Sequence, residues 1–211
     1  MTMKSVLISI RPKWCEKIAN GEKTIEVRKT RPKLETPFKC YIYCAKVKSP
    51  KDVLYLAERV DGEYIGDYLA NGKVVGEFVC DWIYQYASDL FRSGPVEGAD
   101  ISTDEMVSLS CLTAKELYAY EHSAEVRENC IYLVGVYGWH ISDLKVYDQP
   151  KEVSEFSAVC RYKNDDGTCP AKKVECFYQQ FDHNQDGSIN LVECGKKIER
   201  PPQSWCYVEE V

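Results

Sequence analysis

Residues 21–31, GEKTIEVRKTR, constrain the fold more than any other stretch, because Lys23, Glu26, Arg28, Lys29 and Arg31 crowd around a period-two alternation at Thr24, Ile25, Glu26, Val27 and Arg28. A half-buried strand of this pattern sends Ile25 and Val27 inward and Thr24, Glu26 and Arg28 to the other face. That polar face can hold an anion or a base. Upstream, residues 5–20, SVLISIRPKWCEKIAN, read as a strand entering a short helix, with Pro12 in its first turn and Gly21 as the stop. The predicted unit is strand, helix, glycine turn, charged strand.

Downstream, residues 37–47 read as a strand, residues 52–70 as a helical or irregular excursion closed by Asn71-Gly72, and residues 73–86 as one long strand with a bulge at Gly76. Residues 88–110 are polar and loop-like, with at most a turn of helix. Thr113 and Glu116 form a Thr-x-x-Glu capping box for a helix over 114–122, and residues 130–146 give one or two strands coiled at Gly135 and Gly138. Gln149-Pro150 marks a boundary.

The order of an aliphatic strand, the run Ile10, Arg11, Pro12 and Trp14, a short helix, and Gly21, Lys23, Thr24, Glu26 and Arg28 in G-x-K-T-x-E-x-R spacing resembles the ASCH domain, of the PUA-like group. The likeness covers the segment up to Ala45 and, more loosely, the strands as far as Tyr147. It implies an α+β fold: a PUA-like mixed β-barrel with flanking helices over residues 1–150 and a small C-terminal appendage over 151–211. It also implies a cleft beside the motif that binds single-stranded RNA or a modified nucleotide. Members that hydrolyse acylated nucleosides or cut RNA keep an enzyme reading open, as a nucleoside amidohydrolase or ribonuclease. In that reading Lys23 is the base or activator, Glu26 the acid/base and Arg28 the anion holder. A protein-interaction module of phage or prophage origin is the third reading.

Taken with that resemblance, the residues read as a binding lining. Arg11, Lys13, Lys23 and Arg28 suit phosphate, Trp14 suits stacking, and Glu26 suits an exocyclic amine, with Ser9 and Thr24 in the same lining. Trp139 and His140, in YGWHISD, form a second candidate wall, where His140 suits acid–base work. Because side chains alternate, Trp139 shares a face with Ile141 and His140 with Ser142.

Charge distribution supports a local rather than a global nucleic-acid face. The first 50 residues carry twelve Lys and Arg against four Glu, +8, which with a total of −6 leaves −14 on the rest. A basic module sits on an acidic body. No apolar run is long enough to span a membrane, and the start, MTMKSVLISIRPKW, lacks the features of a secretory signal, so a cytoplasmic location is expected. No motif calls for an organic cofactor.

Of eleven cysteines, Cys15, Cys40, Cys44, Cys80, Cys111 and Cys130 fall in predicted elements and read as small core residues. The tail is different. Residues 182–193 match the calcium-loop template, with Asp182, Asn184, Asp186, Ser188 through its carbonyl, and Glu193 as ligands, after apolar residues at helical spacing over 172–181. Cys160, Cys169, Cys176, Cys194 and Cys206 offer zinc as the weaker rival, since no two stand two to four residues apart. A closing strand is expected over 203–208.

Overall fold

The computed structural model describes residues 4–47, 49–87, 100–122, 135–159, 181–183, 189–191 and 196–211. The first half contains β1 (Lys4–Ile10), α1 (Pro12–Ala19), β2 (Ile25–Arg28), β3 (Phe38–Cys44), β4 (Tyr55–Val60), β5 (Glu63–Leu69), β6 (Val74–Cys80) and β7 (Ile83–Tyr86). Then follow α2 (Thr103–Ser110), α3 (Ala114–Glu121), β8 (Val136–His140), β9 (Ser142–Lys151), β10 (Ser157–Ala158), β11 (Phe181–His183), β12 (Ile189–Leu191), β13 (Lys196–Lys197) and β14 (Trp205–Glu209). The class is α+β, dominated by strands of mixed direction, with three α-helices among the described residues.

The chain divides into two compact units. One gathers Met1–Ile10, Cys40–Gly76 and Tyr147–Val211; the other gathers Arg11–Lys39 and Glu77–Val146.

In the first unit, β1 runs parallel to β3, from Val6 opposite Cys40 to Ile10 opposite Cys44, and antiparallel to β14, from Lys4 opposite Glu209 to Ile8 opposite Trp205. These strands belong to a sheet of order β13-β10-β14-β1-β3-β6-β9. The near-continuous apolar runs of β1 and β3 fit strands covered on both faces. Leu7, Tyr41, Tyr43, Val74, Tyr147, Phe156, Ile198 and Val208 make the core. β9 runs straight through Gln149-Pro150, where the sequence suggests a boundary.

Residues 52–70 correct the sequence reading. They form the antiparallel ribbon of β4 and β5, turned at Asp61-Gly62 with φ of 53° and 83°, the conformation that an Asp-Gly hairpin favours. The alternation that would have revealed it is broken by a register shift between Glu58 and Arg59, and in β5 only Tyr68 is buried.

In the second unit, β8 lies between β2 and β7, antiparallel to both. Ile25 and Val27 of β2 meet Met106, Leu117 and Val136 in a core roofed by α2 and α3. Gly138 permits this approach, because a Cβ there would stand 2.8 Å from Ile25 Cγ2 and 3.0 Å from Met106 Cε. The single strand expected over 73–86 is broken at Asp81-Trp82 into β6 and β7. α2 occupies part of the expected loop, closed by a capping box of Ser102 and Glu105 that matches the one at Thr113 and Glu116 on α3.

Candidate functional site

α1 starts at Arg11, an extended N-cap residue, with Pro12 at the first helical position and Lys13 and Trp14 following. Its first turn has no acidic residue and no side-chain cap. Arg11 and Lys13 are exposed and Trp14 is half-buried. Lys13 Nζ stands 4.1 Å from the indole centroid and Lys23 Nζ 5.2 Å, so the ring is flanked by two cations. Lys13 also reaches Glu116 at 3.3 Å, an exposed pair that holds it weakly.

The polar face of β2 is not open. Lys23, Glu26 and Arg28 retain only 3%, 6% and 9% exposure. Lys23 Nζ donates to the carbonyls of Ile25 at 2.7 Å and Ser110 at 2.8 Å, and lies 3.3 Å from Glu26 Oε2. Glu26 Oε1 stands 3.0 Å from Arg28 Nη2, while Oε2 has no hydrogen bond of proper geometry and is held by charge alone. Thr24 donates its N–H to Leu109 O and accepts one from Ile141, both at 2.9 Å. The motif therefore ties β2 to the end of α2 and to the start of β9. Lys23 as a base would have to abandon two backbone carbonyls and the charge of Glu26.

Tyr120 of α3, which the sequence reading missed, joins this group. Its hydroxyl meets the Lys29 backbone, Lys29 Nζ stands 5.5 Å from its ring, and Arg28, Glu26 and Arg11 are near enough for their charges to reach it. Burial pushes its phenol up. An aromatic at half-buried spacing in AKELYAYE was the available signal, but nothing local linked it to β2.

The second wall separates into parts. Trp139 is fully buried and meets Phe38 edge-on, with centroids 5.9 Å apart, so it is a core residue and not a stacking platform. His140 is half-buried, and its Nδ1 lies 2.6 Å from Asp81 Oδ1. Partial burial raises the Asp81 carboxyl, but the His140 hydrogen bond, assisted by Ser142 and local backbone, outweighs this and holds it below the usual range. Ser9 belongs to the first unit, where its hydroxyl donates to Pro202 O at 2.6 Å.

The sequence placed a cleft along residues 9–28. A cleft of about 550 Å³ lies one strand over, lined by Arg31, Glu35, Trp82, Gln85, Asp100 and Tyr137 among others. Tyr137 is the residue opposite Arg28 in the β2–β8 ladder. Trp82, 53% exposed, is the aromatic at the break between β6 and β7. Reading residues 73–86 as one strand hid it.

In the tail, the backbone of Asp182 pairs with Asn190 in the β11–β12 ladder. Asn184, Asp186, Ser188 and Glu193, together with Cys160, Cys169, Cys176 and Cys194 and the helix expected before Phe181, lie outside the described residues. Cys206 sits on β14 against the first unit's core, where burial raises its thiol to about 11. Among the described residues no three His, Cys, Asp or Glu side chains converge on a metal position, and no helix is long and apolar enough to cross a membrane.

No family model matches the sequence, and no curated protein matches it. Among solved structures, ASCH from Zymomonas mobilis is similar at 15% identity and a TM-score of 0.44, over 71% of this chain and 73% of that one. Two mutant forms of that protein are similar at 16% identity each. Their TM-scores are 0.38 and 0.37, over 72% and 69% of this chain and 77% and 70% of theirs. At these values no residue role passes from those proteins to this chain.

Proposed function

We propose that the chain binds single-stranded RNA or a nucleotide through the start of α1, as an ASCH-type module. The observation that carries this is the half-buried Trp14 indole between Lys13 at 4.1 Å and Lys23 at 5.2 Å, with Arg11 exposed one helical step away. A base stacking on Trp14 displaces the Lys13 ammonium, whose bond to Glu116 is exposed and weak, and the freed ammonium takes the adjoining phosphate. Lys23 cannot leave. It keeps positive potential under the ring without competing for the phosphate, and the positive end of the α1 dipole adds to the anion's welcome.

The test is single-stranded RNA binding by fluorescence anisotropy across a salt series. Arg11→Gln with Lys13→Gln should lower the slope of log affinity against log salt by roughly 1.4, two phosphate contacts on a single strand. Trp14→Ala should weaken binding by about 1–3 kcal/mol with little change in slope. A double variant with wild-type slope and affinity overturns the reading.

A further inference from the structure

We propose that the cleft between Trp82 and Tyr137 is a nucleobase pocket that prefers adenine and cytosine, whose exocyclic amine stands where uracil carries O4, over uracil. The inference takes its ligand class from the nucleic-acid reading above, but stands on different residues. The volume, about 550 Å³, falls in the range of small-molecule sites, and Trp82, Tyr137, Leu34 and Ile83 supply its apolar surface beside the polar side chains of Arg31, Glu35, Thr36, Gln85 and Asp100. Trp82 leaves 53% of itself exposed at a strand break, where a flat π-face is available without unfolding anything.

Polar groups of the pocket set the selectivity. Asp100 accepts the Gln85 backbone N–H through Oδ1 at 2.7 Å, and its own N–H donates to Gln85 O at 3.1 Å. This fixes the direction of the carboxylate and leaves its other oxygen as an acceptor. Glu35 supplies a second carboxylate, and the Gln85 amide offers one donor edge and one acceptor edge. Arg31 is the lining's one cation among the described residues, so the pocket accepts hydrogen bonds more than it gives them. The N6 amine of adenine and the N4 amine of cytosine meet this demand. Uracil presents O4 there, and an acceptor facing a carboxylate loses a hydrogen bond and leaves a polar group unpaired. Arg31, on the loop that follows the β2 charges, is the lining's cation available to the phosphate of such a nucleotide.

Uncharged nucleosides separate this pocket from the α1 shoulder, because they carry no phosphate for Arg11 or Lys13 to hold. The full chain is titrated with adenosine, cytidine and uridine by calorimetry or by chemical-shift mapping. Adenosine and cytidine should bind at least about tenfold more tightly than uridine. Asp100→Asn keeps the oxygen that receives the Gln85 N–H, and together with Glu35→Gln it should bring the three nucleosides within about threefold of one another. Trp82→Ala should abolish binding of all three, with an unchanged melting temperature showing that the fold persists. Equal binding of uridine, binding indifferent to Trp82→Ala, no nucleoside binding, or tighter binding of arginine amide, the probe for a basic peptide, each overturns the proposal. Selective nucleoside binding alongside RNA binding indifferent to Arg11→Gln with Lys13→Gln would overturn the α1 shoulder alone.

Discussion

Lys23, Glu26 and Arg28 on one side, and Arg11 and Lys13 on the other, come from one basic stretch of sequence, yet the fold treats them oppositely. The first set is sealed and bonded to backbone carbonyls and to itself, whereas the second stands in solvent beside an indole. The difference teaches that a charged motif can be mostly architecture. Its buried members fix where a strand lies, and the ligand is met by neighbours whose bonds are weak enough to exchange.

The largest effect should come from breaking the sealed set. Glu26→Ala leaves Lys23 and Arg28 buried without the carboxylate between them, and should cost about 3–5 kcal/mol of stability in urea unfolding. Arg11→Gln should stay within about 0.5 kcal/mol of wild type. A stable Glu26→Ala protein that had merely lost RNA binding would reverse the comparison and make the buried charges the functional ones.

A smaller effect separates backbone space from charge. Gly138→Ala places a Cβ against Ile25 and Met106, beneath the strand that carries Glu26 and Arg28, and should destabilise by about 1–3 kcal/mol through overpacking. Gly21→Ala meets no neighbour, and its cost comes from a φ of +74° alone, about 1–2 kcal/mol. If Gly138→Ala melts with wild type, β2 is not held down on the α2 side as tightly as described.

What could be read from sequence follows the same division. The helix 12–19, its glycine stop and the Thr113 box were legible because caps and turns are local chemistry. Burial of Ile25 and Val27 was legible from period two. Burial of Lys23, Glu26 and Arg28 was not, because it depends on Ser110 and Tyr120, far away in sequence. Trp139 was misplaced for a related reason. Alternation gives a side chain its face but not what covers that face, and here Phe38 covers it. The cleft escaped because it is made beyond the ends of elements, by Arg31 on the loop after β2 and by Trp82 between β6 and β7, where periodicity says least.

The smallest expected effect tests whether His140 belongs with the sealed charges or the open ones. Its bond to Asp81 joins side chains that are 33% and 46% exposed, so the pair should contribute below about 1 kcal/mol and shrink in high salt. Because the bond holds the Asp81 carboxyl below its ordinary value, the folded protein binds fewer protons there than the unfolded chain. The contribution is therefore fully present above the ordinary carboxylate range, near pH 4, and disappears as pH falls through the lowered folded value. Asp81→Asn should be slightly less stable than wild type at neutral pH, and the gap should close in acid. Paired urea titrations at neutral pH and near pH 3 would measure it. A gap that persists in acid would mean that Asp81 supports the β6–β7 break by shape rather than by charge, and would place His140 among the architectural residues with Trp139.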